Sequence, residues 1–175
     1  LPSSMWYPAP NSLFAVRGPD YAPFRLTVNG STAISSGVEK SAGVFEQTLN
    51  AQPFFTAGNW DRVEGTANAK GITTFLPKGA GEDERKQSDN LMRLAANARE
   101  FYAAMLGAAP DVPIRLVAVR RGAGFDDART MLLSEGALRR KKIDSTTALA
   151  VAEGVARIWI GANTPVRGEG HGVVR

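Results

Sequence analysis

Alternating apolar and polar residues in the first half of the chain predict β-strands. Residues 24–28 alternate in this way and are followed by Asn29-Gly30, a pattern typical of a strand that enters a turn. Similar short runs rich in β-branched and aromatic residues occupy 44–49, 54–57 and 72–76, with Gly, Asn or Pro between them. We therefore expect antiparallel β-sheet in this half.

Helical periodicity begins after a glycine-rich break at residues 79–83. Apolar residues recur at helical spacing from about Glu84 to Leu106, and the following glycine suits a helix C-cap. Two further apolar runs, at 114–119 and 130–133, predict strands. A second long helix is then expected, because an apolar stripe runs through residues 148–159. Either Asp144 or Ser145 can cap it.

These elements predict an α+β protein in two parts. Residues 1–78 form a β-rich segment with antiparallel sheet, and residues 79–175 form an α/β segment with a mixed sheet and two long helices. At 43% hydrophobic and 22% charged residues the chain is expected to fold around a buried core. Its start at Leu1, without Met, suggests a processed or excised piece of a longer protein.

Charge and hydropathy argue against nucleic-acid and membrane partners. The 21 basic and 17 acidic residues leave a formal charge of +4, which is mild and mostly scattered. The one dense basic cluster, residues 139–142, is typical of a solvated loop. No apolar run approaches the roughly 20 residues that cross a bilayer, so we expect no membrane insertion by this chain.

The cysteine and histidine content excludes several kinds of site. Without cysteine the chain has no disulfides, thiol nucleophiles or zinc–thiolate sites. Histidine occurs once, at His171 in a glycine-rich stretch, so two histidine ligands cannot come from this chain alone. Serine-hydrolase chemistry is also not expected, because no G-x-S-x-G motif is present.

The segment E-G-V-A-R-I-W-I-G, which begins at Glu153, matches the zinc-protease pattern H-E-x-x-H-x-W-x-G at its Trp and final Gly. Glu153, Gly154 and Arg157 take the places of the first His, the catalytic Glu and the second His. That chemistry requires two imidazoles one helical turn apart. Glu and Arg at this spacing can instead bridge each other, or form an ordinary surface ion pair. A register shifted by one residue puts Ala152 and Ala156 at the His positions and also lacks the ligands.

Several further motifs occur in an order that resembles the aminopeptidase N family of gluzincin zinc metallopeptidases. Trp6-Tyr7-Pro8 resembles the family's W-[FY]-P segment, and residues 54–60 resemble its F-x-x-A-G-x-[FY] strand. The long helix, its terminal glycine, a proline and a strand then follow in the family's order. The resemblance implies the end of the family's N-terminal β-domain in residues 1–78. It also implies the start of the thermolysin-like catalytic domain in 79–175.

The resemblance also implies positions for a vestigial substrate cleft. Glu135 stands where the family often has a Glu. Counting back from it places Asp126 at the glutamate that binds the substrate's free amine in the G-A-M-E-N loop, with Asp127 beside it. A polar turn between two strands is the alternative for this stretch. The family's third zinc ligand would fall one position beyond Arg175.

These observations favour a non-catalytic binding or scaffold module of a larger protein, with peptide or protein partners. The family implies zinc, but its ligands are absent here, so we expect no cofactor. An active aminopeptidase fragment with ligands supplied elsewhere, and a purely structural segment, are the alternatives. We also expect a peptide-binding edge strand at 114–119 and self-association through surfaces exposed by truncation. The family alone suggests an extracytoplasmic or membrane-linked parent protein.

Overall fold

The computed structural model describes residues 4–6, 22–29, 33–35, 37–51, 55–120, 126–127 and 129–163. Its strands are β1 (Ser4–Trp6), β2 (Ala22–Thr27), β3 (Ala33–Ser35), β4 (Val38–Ser41), β5 (Val44–Ala51), β6 (Phe55–Ala57), β7 (Trp60–Glu64), β8 (Ile72–Pro77), β9 (Ile114–Val119), β10 (Asp126–Asp127) and β11 (Thr130–Ser134). Its helices are α1 (Glu82–Leu106), α2 (Glu135–Leu138) and α3 (Ser145–Asn163), with a 3-10 turn at Ala67–Ala69. None of these helices is long and apolar enough to cross a membrane.

The strands form three sheets, and together with the helices they confirm the α+β class. Two three-stranded sheets, in the orders β1-β6-β3 and β2-β5-β4, are antiparallel throughout. The third sheet has the order β10-β11-β9-β8-β7. It is mixed, because β9 runs parallel to both β8 and β11 while β7 and β10 pair antiparallel at the two ends. This sheet takes strands from both sides of the boundary at 78/79, and the division into two domains stays a prediction.

The strand β9 lies in the middle of the five-stranded sheet, so the expectation of an edge strand at 114–119 is wrong. Its neighbours are β8 on one side and β11 on the other, and all six of its residues are buried. Nearly continuous apolar sequence is typical of a parallel strand with both faces covered. Such a strand has no free backbone groups with which to pair a peptide.

The helices α1 and α3 cover one face of this sheet and build the main core. Leu91 of α1 and Val155 of α3 meet Leu76 and Leu116 of the sheet in one cluster of buried side chains. At the start of α1, the backbone N–H of Gly81 donates to the Glu84 carboxylate at 2.8 Å. This bond is the main reason that the pKa of Glu84 is lowered, with the Arg139 guanidinium second.

Of the two predicted capping residues, Asp144 and Ser145, it is Asp144 that caps α3. Its Oδ1 accepts the backbone N–H of Thr147 at 3.0 Å, and its Oδ2 accepts the Thr147 hydroxyl at 3.0 Å. The backbone bond is the largest cause of the lowered pKa of Asp144, followed by the hydroxyl bond. A carboxylate at this point satisfies helix N–H groups that have no partner within the helix.

The other face of the five-stranded sheet is covered by β3. Ile34 of β3 packs on Val117 and Leu132, and the rings of Trp60 and Phe75 border this smaller cluster. The indole N–H of Trp60 donates to the backbone oxygen of Ala118 at 3.2 Å. Both faces of the central strands are therefore shielded from solvent, by helices on one side and by β-structure on the other.

Candidate functional site

The zinc-motif positions lie in the second half of α3, where the helix packs on β11. Gly154 is buried, Arg157 is half-buried and Glu153 is exposed. Because Glu153 is exposed, it is better explained as an ordinary residue of the helix surface than as a residue that faces a cleft. The expected bridge between Glu153 and Arg157 stays a prediction.

Gly154 permits a close approach between α3 and β11. A Cβ atom at this position would lie 2.7 Å from Sδ, 2.8 Å from Cε and 2.9 Å from Cγ of Met131. Met131 belongs to β11 and is 3% exposed, so its side chain is enclosed. The methionine thus fills the space beside position 154, where the motif of zinc proteases has its catalytic carboxylate.

Trp159, which the motif retains, serves as an anchor between the two long helices. It is 3% exposed, and its indole N–H donates to the backbone oxygen of Gly107 at 3.1 Å. The centre of its ring lies 6.1 Å from the centre of the Tyr102 ring on α1. The contact ties α3 to the C-terminal end of α1, and it accounts for this tryptophan through packing alone.

The residues at the motif positions do not fit a zinc ion. Glu153 offers one exposed carboxylate, Gly154 has no side chain, and the guanidinium of Arg157 is a hydrogen-bond donor that offers no acceptor atom to a metal. Within the part of the chain that the structure describes, no group of three His, Cys, Asp or Glu residues is placed to hold a metal ion. His171 lies outside the described residues.

Glu135 belongs to an ion-pair network at the start of α2. Its carboxylate lies 3.5 Å from Arg120 and 3.8 Å from Arg139, and Arg139 lies 3.1 Å from Glu84 of α1. The Glu135 side chain is only 13% exposed. The network connects the end of β9 with α2 and the start of α1, so this geometry gives Glu135 a structural role. A part in substrate binding stays a prediction.

Asp126 and Asp127 form the short edge strand β10. Asp126 pairs with Met131 and Asp127 pairs with Thr130 of β11. Residues 123–125, which complete the predicted substrate loop with Asp126 and Asp127, lie outside the described residues. The backbone of the predicted amine-binding position therefore lies next to the strand whose Met131 covers Gly154, and its role in binding stays a prediction.

The sequence matches no known protein-family profile and no curated protein. The fold does have relatives among solved structures. Yeast LTA4 hydrolase in complex with bestatin has a TM-score of 0.53 and 10% identity over 71% of this chain and 20% of that one. Native yeast LTA4 hydrolase has a TM-score of 0.57 and 10% identity over 77% of this chain and 22% of the other.

A two-domain M1 zinc metallopeptidase bound to L-arginine has a TM-score of 0.45 and 12% identity, over 81% of this chain and 34% of that one. The two LTA4 hydrolase structures show that the chain has a fold similar to part of LTA4 hydrolase. The chain spans about a fifth of the length of those two structures. At 10% identity the likeness concerns the fold alone.

Proposed function

We propose that this chain is a metallopeptidase-like domain that does not hydrolyse peptides and acts as a binding or scaffold module of a larger protein. The observation that carries the proposal is the contact between Gly154 and Met131. A side chain at position 154 would overlap three atoms of the enclosed methionine. The carboxylate that the zinc-protease motif requires there would fit only if Met131 moved.

The absent ligands support the same conclusion. Zinc in a peptidase lowers the pKa of a bound water to about 7 and polarises the scissile carbonyl. Both effects depend on histidines that are here Glu153 and Arg157. Because neither the ligands nor the neighbouring base is present on α3, the fold retains the framework of a metallopeptidase without the groups that perform its reaction.

The role as a module is supported by apolar surface on α1. Phe101, Met105 and Leu106, near the C-terminal end of the helix, are 59%, 66% and 55% exposed. Large apolar side chains that are exposed close together are typical of surfaces that contact another protein or another part of the same protein. The chain corresponds to only about a fifth of the length of the LTA4 hydrolase structures. A partner for the apolar surface of α1 would fit this comparison.

The test is zinc content together with peptidase activity. The protein is incubated with zinc, desalted and subjected to elemental analysis, and it is assayed on aminoacyl chromogenic substrates with and without zinc. An active zinc aminopeptidase is processed in parallel as the control. We expect less than about a tenth of an equivalent of bound zinc and no hydrolysis above the rate without protein.

One tight equivalent of zinc together with hydrolysis would overturn the proposal and establish the alternative of an active peptidase. The measurement should be repeated on the longest natural form of the protein, since ligands supplied from outside these residues would bind zinc only there. Zinc bound by the longer form alone would assign the ligands to that additional sequence.

A further inference from the structure

An arginine is buried between the five-stranded sheet and β3, on the face away from the helices. Arg115 of β9 is 7% exposed. Its Nη1 donates to the backbone oxygen of Ser35 at 2.9 Å and lies 3.3 Å from the hydroxyl oxygen of Thr130. Burial lowers the pKa of Arg115 to about 10, and the charge of Glu39 opposes this shift. The guanidinium is therefore charged at neutral pH.

The charge of Arg115 has no ion-pair partner among the described residues. Among the ion pairs of the described residues, none includes Arg115. Both of its hydrogen bonds come from Nη1, so Nε and Nη2 donate to no described residue. Buried charges are normally paired, because removing a charge from water is costly. A group that could accept from Nε and Nη2 would complete the site.

A cavity of about 140 Å³ adjoins this arginine. Ile34, Phe45, Trp60 and Phe75 form its apolar walls, and Arg115 contributes to its lining. The volume is close to that of an engineered cavity, about 150 Å³, that admits benzene. The space is thus sufficient for one phenyl ring or a branched aliphatic group.

The other charged residues at this cavity are Arg62 and Glu39. Arg62 pairs with Glu64, and its guanidinium lies 5.8 Å from the centre of the Phe75 ring. Glu39 is an exposed residue of β4. Arg62 forms an ion pair with Glu64, whereas Arg115 forms none with the described residues, although the charge of Glu39 acts on it.

We propose that this cavity binds a small monocarboxylate with one phenyl or branched aliphatic group. The two carboxylate oxygens accept from Nε and Nη2 of Arg115, since a guanidinium fork matches a carboxylate in a bidentate arrangement. The apolar group lies against Trp60 and Phe75. Inorganic anions such as phosphate would leave the apolar walls unused. The proposal is independent of the non-catalytic function, because α3 lies on the opposite face of the sheet.

Benzoate is the probe, and its neutral isostere benzamide and inorganic phosphate are the comparison ligands. Each is titrated into the unmodified protein by calorimetry and by NMR of the tryptophan indole N–H signals. For a ligand of this size we expect a dissociation constant of about 1 mM for benzoate. Benzamide should bind at least about 10-fold more weakly, and the Trp60 signal should shift more than that of Trp159.

The variant Arg115→Met replaces the guanidinium with a shorter unbranched apolar side chain and removes its charge. It should weaken benzoate binding by at least about 10-fold. Arg99→Met is the matched control, because Arg99 also donates to backbone oxygens, at Asn68 and Lys70, but does not line the cavity. That variant should bind benzoate as the unmodified protein does.

Three results would overturn the proposal. The unmodified protein could show no benzoate binding at about 10 mM. Benzamide or phosphate could bind as tightly as benzoate, in which case the pairing of a carboxylate with an apolar wall would not be what the site recognises. Benzoate could also shift Trp159 and leave Trp60 unchanged. The NMR result does not require a variant, so it decides the matter even if Arg115→Met fails to fold.

Discussion

The contact between Gly154 and Met131 yields a prediction in which one substitution has opposite effects in two backgrounds. Gly154 lies inside α3, where replacement by alanine normally stabilises a helix by about 1 kcal/mol. Here the added Cβ would lie within 2.9 Å of three atoms of Met131, each closer than carbon and sulfur atoms pack. The effect of Gly154→Ala therefore depends on whether the methionine can move.

The magnitudes favour destabilisation in the unmodified protein. Overpacking a filled core costs about 1–3 kcal/mol, and Met131 is enclosed even though methionine is a flexible residue. After subtraction of the helical gain we expect a net loss of about 1 kcal/mol, or about 2–4 °C in melting temperature for a chain of this length. In a Met131→Ala background the obstacle is gone, and the same substitution should stabilise by about 1 kcal/mol.

The assay is urea denaturation of the unmodified protein, of the two single variants and of the double variant. We expect a coupling free energy of about 2 kcal/mol between positions 154 and 131. Met131→Ala alone should cost about 2–5 kcal/mol, because it leaves a cavity. Glu153→Ala, at the exposed neighbouring position, is the matched control and should change stability by less than about 0.5 kcal/mol.

A coupling of less than about 0.3 kcal/mol, with Gly154→Ala stabilising in both backgrounds, would refute this reasoning. It would mean that Met131 moves aside at little cost. A larger side chain could then be accommodated at position 154, and the packing argument for a non-catalytic domain would fail.

Two further predictions concern α3 and α1. The backbone hydrogen bond from Thr147 lowers the pKa of Asp144 in the folded protein below the ordinary value of 3.8. The charged carboxylate therefore stabilises the fold at any pH above 3.8, and this stabilisation is lost as the pH falls through the lower pKa of the folded protein. Asp144→Asn keeps an acceptor but cannot titrate, so its melting temperature should lie below that of the unmodified protein near neutral pH and converge with it in acid; parallel curves would contradict the assignment. If exposed apolar surface drives self-association, sedimentation should show a dimer at high concentration that Met105→Glu weakens and Glu100→Gln on the same helix does not. A monomer at every concentration would exclude self-association through this surface.

Local sequence patterns were sufficient to predict the type and approximate position of most helices and strands. The helical spacing from about Glu84 and the glycine after Leu106 correspond to α1, which begins two residues earlier because acidic residues suit a helix N-terminus. The apolar run at 130–133 corresponds to β11, which extends one residue further. Hydrophobic periodicity and helix-ending residues involve only residues close in sequence, so they can be recognised without knowledge of the fold.

The placement of β9 shows where local pattern is insufficient. Residues 114–119 were correctly predicted to be a strand, yet the pattern did not show that the strand is central. Its position depends on the parallel pairing with β8 and β11, each of which comes from a distant part of the chain. For the same reason Arg115 gave no signal, because a single arginine in a strand normally faces solvent. Here β3 covers that face.

The sequence by itself determined the types of the main elements, the α+β class and the residues at the motif positions, where neither Glu153 nor Arg157 is a histidine. Tertiary structure alone decided what surrounds them. Met131 meets Gly154 only because α3 crosses β11, and Arg115 becomes a buried cation only because β3 lies over the sheet. Composition and periodicity describe what a residue prefers, whereas burial and charge pairing depend on which distant segments the fold brings against it.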